Sequence, residues 1–478
     1  ITPSIKPLVY ETTVKQGPEP GVGTWGFTLD PVAGNTTVSI KVTSQGVSLT
    51  LTDVIFGDVW ICSGQSNMAF TVIMMYGAAE ELEDAHNYPL IRLMTVENAN
   101  STTPLYDLAE IKQSWTTPSN VSLGGPIWTY FSAVCWLYGK AIHRALGYPI
   151  GLVATSYGGT PVEAWSSHQS LARCGVDKER HYTEDEISFS NKPLEHSFEN
   201  HHKLPQDRLG GPSNNSVLWN AMVYPLLGMT IKGAIWYQGE SDASGTRLVH
   251  YNCTFPSMIR DWRQNFHNFS NGETDLEFPF GFVQLAGYRP NSTTTRGFPD
   301  IRWHQTADQG YVPNNDMPNV FMAVAMDLPN FNSTYGPIHP QYKKEVADRL
   351  ALGGLSVAYG RNLVYQGPFP VRQEVTSSGV VISYGNTWNV TVRTPDGFEL
   401  LCVRGTRSTW TKTQIVSNNQ TSVILGLTCS AGQQVTSVRY AWKETPCDFK
   451  KCAIYETTNE LPGPPFLLNI SADDNITS

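Results

Sequence analysis

Long apolar segments that alternate with helix-like stretches are the feature that most constrains the fold of this chain. Five segments are apolar on both faces of an extended strand. They span residues 54–62, 150–155, 233–237, 280–285 and 320–326. Strands of this kind are typical of a parallel sheet that is covered by helices on both sides.

Helical patterns lie between these strands. Apolar residues from Phe131 to Ala145 recur at the spacing of one helix face, and Gly147 marks the end of that helix. A last helix is predicted from Pro340 to Leu352. This alternation of strands and helices predicts an α/β domain with a doubly wound parallel sheet and flanking helices.

Two β-rich regions flank the α/β domain, which we assign to residues 56–365. Residues 1–55 alternate apolar and polar positions, as half-buried strands do, and form a predicted N-terminal β segment. After residue 365 the helical patterns end, and short alternating strands return between turns rich in proline and glycine. Residues 366–478 are therefore predicted to form a C-terminal β-rich domain similar to a β-sandwich.

The charge balance and the length of the apolar runs each argue against one class of protein. The chain has 33 Lys and Arg against 42 Asp and Glu, a net charge of −9. A nucleic-acid binder needs a basic face to displace counterions, so we expect no nucleic-acid partner. No apolar run reaches the roughly 18 residues that a membrane helix needs, so we expect no membrane span. The sequence does not determine the oligomeric state.

Asn-X-Ser/Thr sequons indicate the cellular compartment. Twelve occur, more than a cytosolic chain collects by chance, and they predict a protein of the lysosomal lumen or a secreted protein. The candidate N-glycosylation sites are Asn35, Asn100, Asn120, Asn214, Asn252, Asn268, Asn291, Asn332, Asn389, Asn419, Asn469 and Asn475.

The eight cysteines are an even number, which fits disulfide bonds. Cys447 and Cys452 bracket a short polar loop, and Cys402 and Cys429 lie in strand-like runs of one β-rich region. We predict that each pair forms a disulfide, with buried free thiols as the alternative. The remaining cysteines, and His181, His196, His201 and His202 in the polar stretch between residues 166 and 216, match no metal-ligand spacing, so no metal site is predicted.

Polar residues follow most of the predicted parallel strands, at the sheet edge where such folds bind ligands. Ser66 follows the first strand, Gly159 the second and Gln238 the third, while Asp327 follows the last and a loop leads from it to His339. Acyl transfer requires a nucleophile, a base and N–H donors for the oxyanion. This set of residues is therefore a candidate site for ester chemistry.

Four sequence segments are similar to those of the sialate O-acetylesterase family, within the SGNH hydrolase superfamily. The resemblance extends from about residue 54 to the end of the β-rich tail and implies an SGNH-type, flavodoxin-like fold. It also implies removal of O-acetyl groups from sialic acids, through an acetyl-enzyme and without a cofactor. The preferred acetyl position does not follow from the resemblance, and a 9-O-acetyl sugar is our own expectation. The segments are residues 56–68 (Phe-Gly-Asp-Val-Trp-Ile-Cys-Ser-Gly-Gln-Ser-Asn-Met), 156–165 (Ser-Tyr-Gly-Gly-Thr-Pro-Val-Glu-Ala-Trp), 219–222 (Trp-Asn-Ala-Met) and 236–241 (Trp-Tyr-Gln-Gly-Glu-Ser).

The same resemblance assigns roles within the candidate site. Ser66 resembles the nucleophile and His339 the general base, while the Ser66 N–H, the Gly159 N–H and the Gln238 carboxamide resemble the oxyanion hole. The superfamily usually has an aspartate two or three residues before the histidine, but this chain has Gly336 and Pro337 there. Either Asp327 is the third member of a triad or a backbone carbonyl orients His339 in a Ser-His dyad. His304 is a rival base.

The expected substrate suggests further residues. Because sialic acid carries a carboxylate, Arg289 and Arg302 are candidate substrate-binding residues, and Trp165 is a candidate for stacking on a sugar. Solvated arginines and a core tryptophan are the structural alternatives. The expected partner is an acetylated sialic acid or sialoglycan. An esterase for another acetylated polysaccharide and a catalytically silent sialoside-binding protein are the two alternative functions.

Overall fold

A computed structural model describes residues 8–17, 21–30, 32–34, 36–177 and 210–470. Most of the histidine-bearing stretch considered above, and the sequons at Asn35 and Asn475, lie outside these residues. The N-terminal part forms two antiparallel strand pairs. Their strands are β1 (Lys15–Gln16), β2 (Gly23–Thr24), β3 (Thr37–Ser44) and β4 (Val47–Ile55).

A seven-stranded sheet forms the centre of the molecule. Its strands are β5 (Asp58–Gly64), β6 (Ile91–Val96), β7 (Ile111–Thr116), β8 (Ile150–Ser156), β9 (Gly233–Tyr237), β10 (Phe280–Gln284) and β11 (Val320–Val324). The order is β11-β10-β9-β5-β8-β6-β7, and all neighbours are parallel except β6 and β7. The predicted α/β fold class is thus confirmed. The prediction for 54–62 was wrong in part, because that segment divides between β4 and β5, and β6 and β7 were missed.

The chain order of the sheet creates a switch point beside β5. After β8 pairs on one side of β5, the chain crosses to the other side with β9 and continues outward to β10 and β11. The loops that follow β8 and β9 therefore leave the sheet edge in opposite directions. Doubly wound sheets bind ligands in the crevice that forms at such a point.

Helices cover both faces of the sheet. They are α1 (Ser66–Ala69), α2 (Ala78–Asp84), α3 (Asn120–Leu123), α4 (Ala133–Leu146), α5 (His168–Arg173), α6 (Gly245–Phe269), α7 (Phe298–His304) and α8 (Lys343–Val357).

Side chains of β10 and β11 show which helix packs on which face. Phe280 and Phe282 of β10 contact Phe255 of α6, at ring-centroid distances of 6.2 and 5.4 Å. On the opposite face, Phe321 of β11 packs beside Gly353 of α8. Successive strand residues point to opposite faces, so α6 and α8 lie on opposite sides of the sheet.

The C-terminal region is antiparallel. Two four-stranded sheets have the orders β12-β13-β18-β17 and β16-β15-β19-β21, and β14 pairs with β20. The strands are β12 (Arg372–Thr376), β13 (Gly379–Ser383), β14 (Val390–Val392), β15 (Phe398–Arg404), β16 (Arg407–Thr413), β17 (Ile415–Asn418), β18 (Ser422–Leu425), β19 (Gln434–Tyr440), β20 (Ile454–Glu456) and β21 (Phe466–Asn469).

Four disulfides fasten these elements. Both predicted pairs, Cys402–Cys429 and Cys447–Cys452, are confirmed. Two further bonds join Cys62 of β5 to Cys135 of α4, and Cys174 after α5 to Cys253 of α6. Several disulfides fit a secreted or lumenal protein. Within the described ranges, no helix combines the length and apolarity that crossing a membrane requires.

Ten of the candidate glycosylation sites lie in the described residues. Nine have exposed asparagines, whereas Asn252 is half-buried within α6, and its Nδ2 donates to Asp308 at 2.7 Å. The nine exposed positions are Asn100, Asn120, Asn214, Asn268, Asn291, Asn332, Asn389, Asn419 and Asn469.

Candidate active site

The carboxyl ends of β5, β8 and β9 meet at the switch point. Gly64 at the end of β5 is level with Ser156 of β8 and Tyr237 of β9. Gly64 has a φ of +138°, and a Cβ on it would lie 2.3 Å from the Tyr237 carbonyl oxygen. Only glycine fits this close approach, and it turns the chain directly into Ser66, the first residue of α1.

Ser66 and His339 contact each other across this edge. The Ser66 Oγ and the His339 Nε2 are 2.9 Å apart, and both residues are buried. The His339 Nδ1 lies 2.8 Å from the Tyr335 carbonyl oxygen. A carbonyl accepts only, so Nδ1 carries the imidazole proton and Nε2 is left to accept the Ser66 hydroxyl proton. The arrangement is a Ser-His dyad oriented by a backbone carbonyl.

Asp327 does not contact His339, and its predicted role as the third member of a triad is wrong. Arg349 donates to the two carboxylate oxygens of Asp327, at 2.6 and 3.0 Å, and the Tyr455 hydroxyl donates to one of them at 3.0 Å. Both oxygens of the fully buried carboxylate therefore already accept hydrogen bonds from these partners. Of the two alternatives for orienting His339, the backbone carbonyl is the one found.

Burial governs the protonation of His339. The pKa of the imidazole is lowered from 6.5 to about 4, chiefly by removal from solvent and to a smaller extent by the nearby Lys343 ammonium, against the Tyr335 carbonyl, which raises it. Trp128 contributes to this burial, because its ring lies edge-on to the imidazole with centroids 5.2 Å apart. Trp128 holds a φ of +61°, a left-handed conformation that non-glycine residues seldom adopt. His339 is therefore neutral at mildly acidic and neutral pH.

Two main-chain N–H groups remain available for an oxyanion. In the described part of the chain, neither the Ser66 N–H nor the Gly159 N–H donates to another group. Gly159 is half-buried, and its φ of +72° turns the chain at the end of β8. These are two of the three donors that the sequence predicted.

The third predicted donor, Gln238, is otherwise engaged. Its Nε2 donates to the Thr160 carbonyl oxygen at 3.1 Å and to the Asp242 carboxylate, and its Oε1 accepts from the Tyr251 hydroxyl at 2.9 Å. Both N–H groups of the carboxamide are thus used inside the protein. The prediction that Gln238 donates to the oxyanion is wrong for this arrangement, in which Gln238 braces the loops after β8 and β9.

Two of the three predicted substrate-binding residues are structural. Arg302 is fully buried and donates to the carbonyl oxygens of Leu285, Lys443 and Glu444, at distances of 2.6 to 2.7 Å. Trp165 is also fully buried and donates to the Thr160 hydroxyl. Neither side chain is accessible to a sugar, so both predictions were wrong.

Arg289 alone of the three is exposed. Its guanidinium lies over the Tyr288 ring at 4.8 Å, and its Nε is 3.4 Å from the Glu444 carboxylate. No contact in the described residues joins it to Ser66 or His339, so its role in substrate binding stays a prediction.

Three polar residues beside the dyad were missed by the sequence analysis. Asn67 follows Ser66, Glu240 follows the Gln238 loop and Lys343 opens α8, and all three side chains meet in the interior. Asn67 and Glu240 belong to the segments that carry the family resemblance. The signal for Lys343 is its position, since a lysine at a helix N-terminus opposes the helix dipole and so calls for another explanation.

The chain is similar to known proteins over most of its length. Residues 370–470 match the family model of the sialate O-acetylesterase C-terminal domain. The chain is 44% identical to a mouse sialate O-acetylesterase, over 94% of this chain and 84% of that protein. It is 42% identical to a human sialate O-acetylesterase, over 94% of this chain and 82% of that protein. Among solved structures, a carbohydrate acetylesterase from Xanthomonas citri matches with a TM-score of 0.72 and 25% identity, over 94% of this chain and 91% of that one.

Proposed function

This chain belongs to the sialate O-acetylesterase family, and from that premise we propose that it removes O-acetyl groups from sialic acids by means of a Ser66–His339 dyad. The observation that carries the proposal is the 2.9 Å contact between the Ser66 Oγ and the His339 Nε2. A nucleophile within hydrogen-bond reach of a base, which is itself oriented by a third group, is the arrangement that serine esterases use.

The reaction proceeds in two halves. The Ser66 Oγ attacks the acetyl carbonyl carbon while the His339 Nε2 takes its proton. The Ser66 and Gly159 N–H groups donate to the oxyanion of the tetrahedral intermediate. His339 then protonates the departing sugar oxygen, which leaves an acetyl ester on Ser66. Water, deprotonated by the same imidazole, hydrolyses this ester and releases acetate. No step requires a metal or a cofactor.

The depth of Ser66 supports a preference for the 9-O-acetyl group. Only 5% of Ser66 is exposed, so an ester must extend well away from the sugar ring to reach it. The 9-oxygen is primary and ends the flexible side chain of a sialic acid. Acetyl groups attached closer to the ring bring more bulk to the same opening. The substrate proposed is therefore a 9-O-acetylated sialic acid, free or within a sialoglycan.

The low pKa of His339 supports a location in the lysosomal lumen or outside the cell. A base with a pKa of about 4 stays neutral in an acidic lumen, where an ordinary histidine is largely protonated. The four disulfides fit the same compartments.

The experiment is a comparison of acetate release from 9-O-acetyl-N-acetylneuraminic acid by the intact protein and by Ser66→Ala. Ser63→Ala is the matched control, because Ser63 is a buried serine of β5 whose hydroxyl has no hydrogen-bond partner among the described residues. Turnover by the intact protein and by Ser63→Ala, but not by Ser66→Ala, is the expected result. Equal turnover by all three proteins would exclude Ser66 as the nucleophile.

Two other functions remain as candidates. The name of the Xanthomonas citri structure, a carbohydrate acetylesterase, favours a wider range of acetylated sugars. Ser66-dependent turnover of acetylated xylan that exceeds turnover of the sialic acid would support that function. In the described part of the chain no carboxylate contacts His339, which favours a catalytically silent sialoside-binding protein. Binding of the acetylated sugar without acetate release would support this second alternative.

A further inference from the structure

We propose that Asn67 is a positioning residue whose carboxamide holds the backbone beside Ser66 to the backbone beside His339. Glu240 and Lys343 hydrogen-bond to the same carboxamide and keep it in place, and we call them its anchors. The proposal deepens the proposed esterase function and rests on it. It assigns a task to three polar side chains that the dyad itself does not use.

One carboxamide joins segments that lie far apart in the chain. The Asn67 Nδ2 donates to the Glu240 Oε1 at 2.6 Å and to the Ile338 carbonyl oxygen at 2.9 Å. The Asn67 Oδ1 accepts from the Lys343 Nζ at 2.6 Å. Asn67 directly follows Ser66 and Ile338 directly precedes His339, so these hydrogen bonds link the two halves of the dyad. We name Asn67, Glu240 and Lys343 the clamp.

The polar atoms of the clamp are shielded from solvent, so its hydrogen bonds are strong and hold the side chains in defined positions. Asn67 and Lys343 are 2% and 0% exposed, and the Glu240 Oε2 is shielded from solvent and has no hydrogen-bond partner within the described ranges. The Lys343 ammonium also lies over the rings of Phe70 and Tyr237, at 4.5 and 5.2 Å. Polar groups in such surroundings are costly unless they are paired, so the carboxamide has few alternative positions.

No carboxylate among the described residues contacts His339, and the clamp compensates for this. An aspartate beside the histidine would fix the imidazole through a charged hydrogen bond, whereas the Tyr335 carbonyl gives only a neutral one. A displacement of about 1 Å in such a site lowers a rate roughly 100-fold. By holding Ile338 to Asn67, the clamp fixes the backbone at the base relative to the backbone at the nucleophile.

The clamp also acts on the charge of the base. Among the described residues, the charged group that acts on His339 is Lys343 at the start of α8. Glu240 after β9 and the ring of Tyr237 at the end of β9 in turn lie beside the Lys343 ammonium. The Lys343 ammonium lowers the pKa of His339. Burial lowers the pKa of Lys343 itself to about 7, against the nearby Glu240 carboxylate, which raises it.

Variants of Asn67 test the clamp directly. Asn67→Asp keeps the shape but removes both N–H donors, and Asn67→Leu removes every hydrogen bond. With 4-nitrophenyl acetate, kcat of both variants is expected to fall roughly 100-fold while KM changes less than about threefold, because positioning rather than binding is lost. Asn314→Leu is the matched control, since Asn314 is a buried asparagine that also donates to two carbonyl oxygens, those of Thr306 and Tyr311.

The anchors supply two further readouts. In Glu240→Gln the Oε1 still accepts from Asn67, so this variant is expected to have a kcat at least about tenfold above that of Glu240→Leu. In Lys343→Met the positive charge is gone, so the acid limb of kcat/KM is expected to move upward, toward the ordinary histidine value of about 6.5. A merely structural role for these residues would lower Tm without moving the acid limb or separating kcat from KM.

Labelling of Ser66 by diethyl 4-nitrophenyl phosphate, followed by mass spectrometry, tests the clamp without acetyl turnover. Labelling of Asn67→Asp is expected to be at least about tenfold slower than labelling of the intact protein and of Asn314→Leu. Equal labelling rates and an unchanged acid limb in Lys343→Met would overturn the clamp. If the intact protein labels at Ser66 but releases no acetate, the proposed function fails while the labelling rates still decide the clamp.

Discussion

At the residue scale, the candidate site consists of one imidazole held between a hydroxyl and a carbonyl. The Tyr335 carbonyl fixes the tautomer of His339 but brings no negative charge to stabilise an imidazolium. The base is therefore weaker than one in a full Ser-His-Asp triad. In exchange, it remains deprotonated over a wider range of acidic pH.

The environment of His339 predicts how esterase activity depends on pH. Burial lowers the pKa of His339 to about 4, so the active neutral form dominates above that pH and is lost as the pH falls through it. The acid limb of kcat/KM for acetate release is expected to have its midpoint near pH 4. A midpoint at or above the ordinary histidine value of about 6.5 would contradict the assignment of His339 as a buried base.

Asp327 supports a second prediction at this scale, one of stability without catalysis. Asp327→Asn leaves Arg349 as a buried charge without a counter-charge, and the free energy of unfolding is expected to fall by about 3 kcal/mol. Urea unfolding measures this loss. At a temperature where the variant is folded, its kcat and acid limb are expected to match those of the intact protein.

A double variant supplies the control for Asp327. Arg349→Met combined with Asp327→Asn removes the unpaired charge, so its stability is expected to exceed that of Asp327→Asn alone. A 100-fold fall in kcat in folded Asp327→Asn would instead show that Asp327 takes part in catalysis.

The chemistry of individual residues explains what the sequence could reveal of the site. Ser66 and His339 were identifiable because each follows from a motif and a position at the sheet edge. The hydrogen-bond partners of Asp327 and Arg302 could not be identified from the sequence, because they lie in other parts of the chain. Asp327 accepts from Arg349 and Tyr455, and Arg302 donates to three carbonyl oxygens. Only the folded structure shows that the hydrogen-bonding groups of Asp327 and Arg302 are already used within the protein.

At the element scale, the sheet shows where periodicity is informative. The strand Gly233–Tyr237 was predicted to the residue, since it is buried on both faces and bounded by turns. The edge strand β7 was missed, because its segment Ile-Lys-Gln-Ser-Trp-Thr is half exposed and resembles a loop in composition. Strand identity at an edge depends on a neighbour, which no local pattern contains.

Disulfides give a prediction that belongs to the elements they join. The Cys62–Cys135 bond ties β5 to α4 across 73 residues, whereas Cys447–Cys452 spans only 5. Loop-closure entropy predicts losses of about 4 kcal/mol for Cys62→Ala/Cys135→Ala and about 2 kcal/mol for Cys447→Ala/Cys452→Ala. Urea unfolding of the two double variants checks this order. An equal or reversed order would show that chain entropy does not govern these bonds.

At the scale of the whole molecule, residues expected in the site instead join the two large regions. Arg302 of α7 donates to Lys443 and Glu444 of the C-terminal region, and Asp327 after β11 accepts from Tyr455 of β20. Both side chains are fully buried between the α/β domain and the β-rich region. The C-terminal region therefore supports the sheet edge that carries His339, because the same loop begins at Asp327.

Glycosylation offers a prediction for the folded molecule as a whole. Asn252 is half-buried in α6, its Nδ2 donates to Asp308, and its neighbour Cys253 is bound to Cys174. A glycan on that nitrogen would remove the hydrogen bond and require space that the helix packing does not leave. Asn252 is therefore expected to be unmodified in protein secreted by eukaryotic cells, while Asn268, exposed on the same helix, carries a glycan.

Enzymatic deglycosylation in ¹⁸O-water followed by peptide mass spectrometry checks both sites. Label at Asn252 would mean that α6 packs differently around Asp308, and the absence of label at Asn268 would contradict the glycan expected there. The two asparagines lie on one helix, so a difference between them bears on how the two positions are packed. Sequons thus predict the compartment from sequence, whereas which of them can carry a glycan depends on how the finished molecule packs.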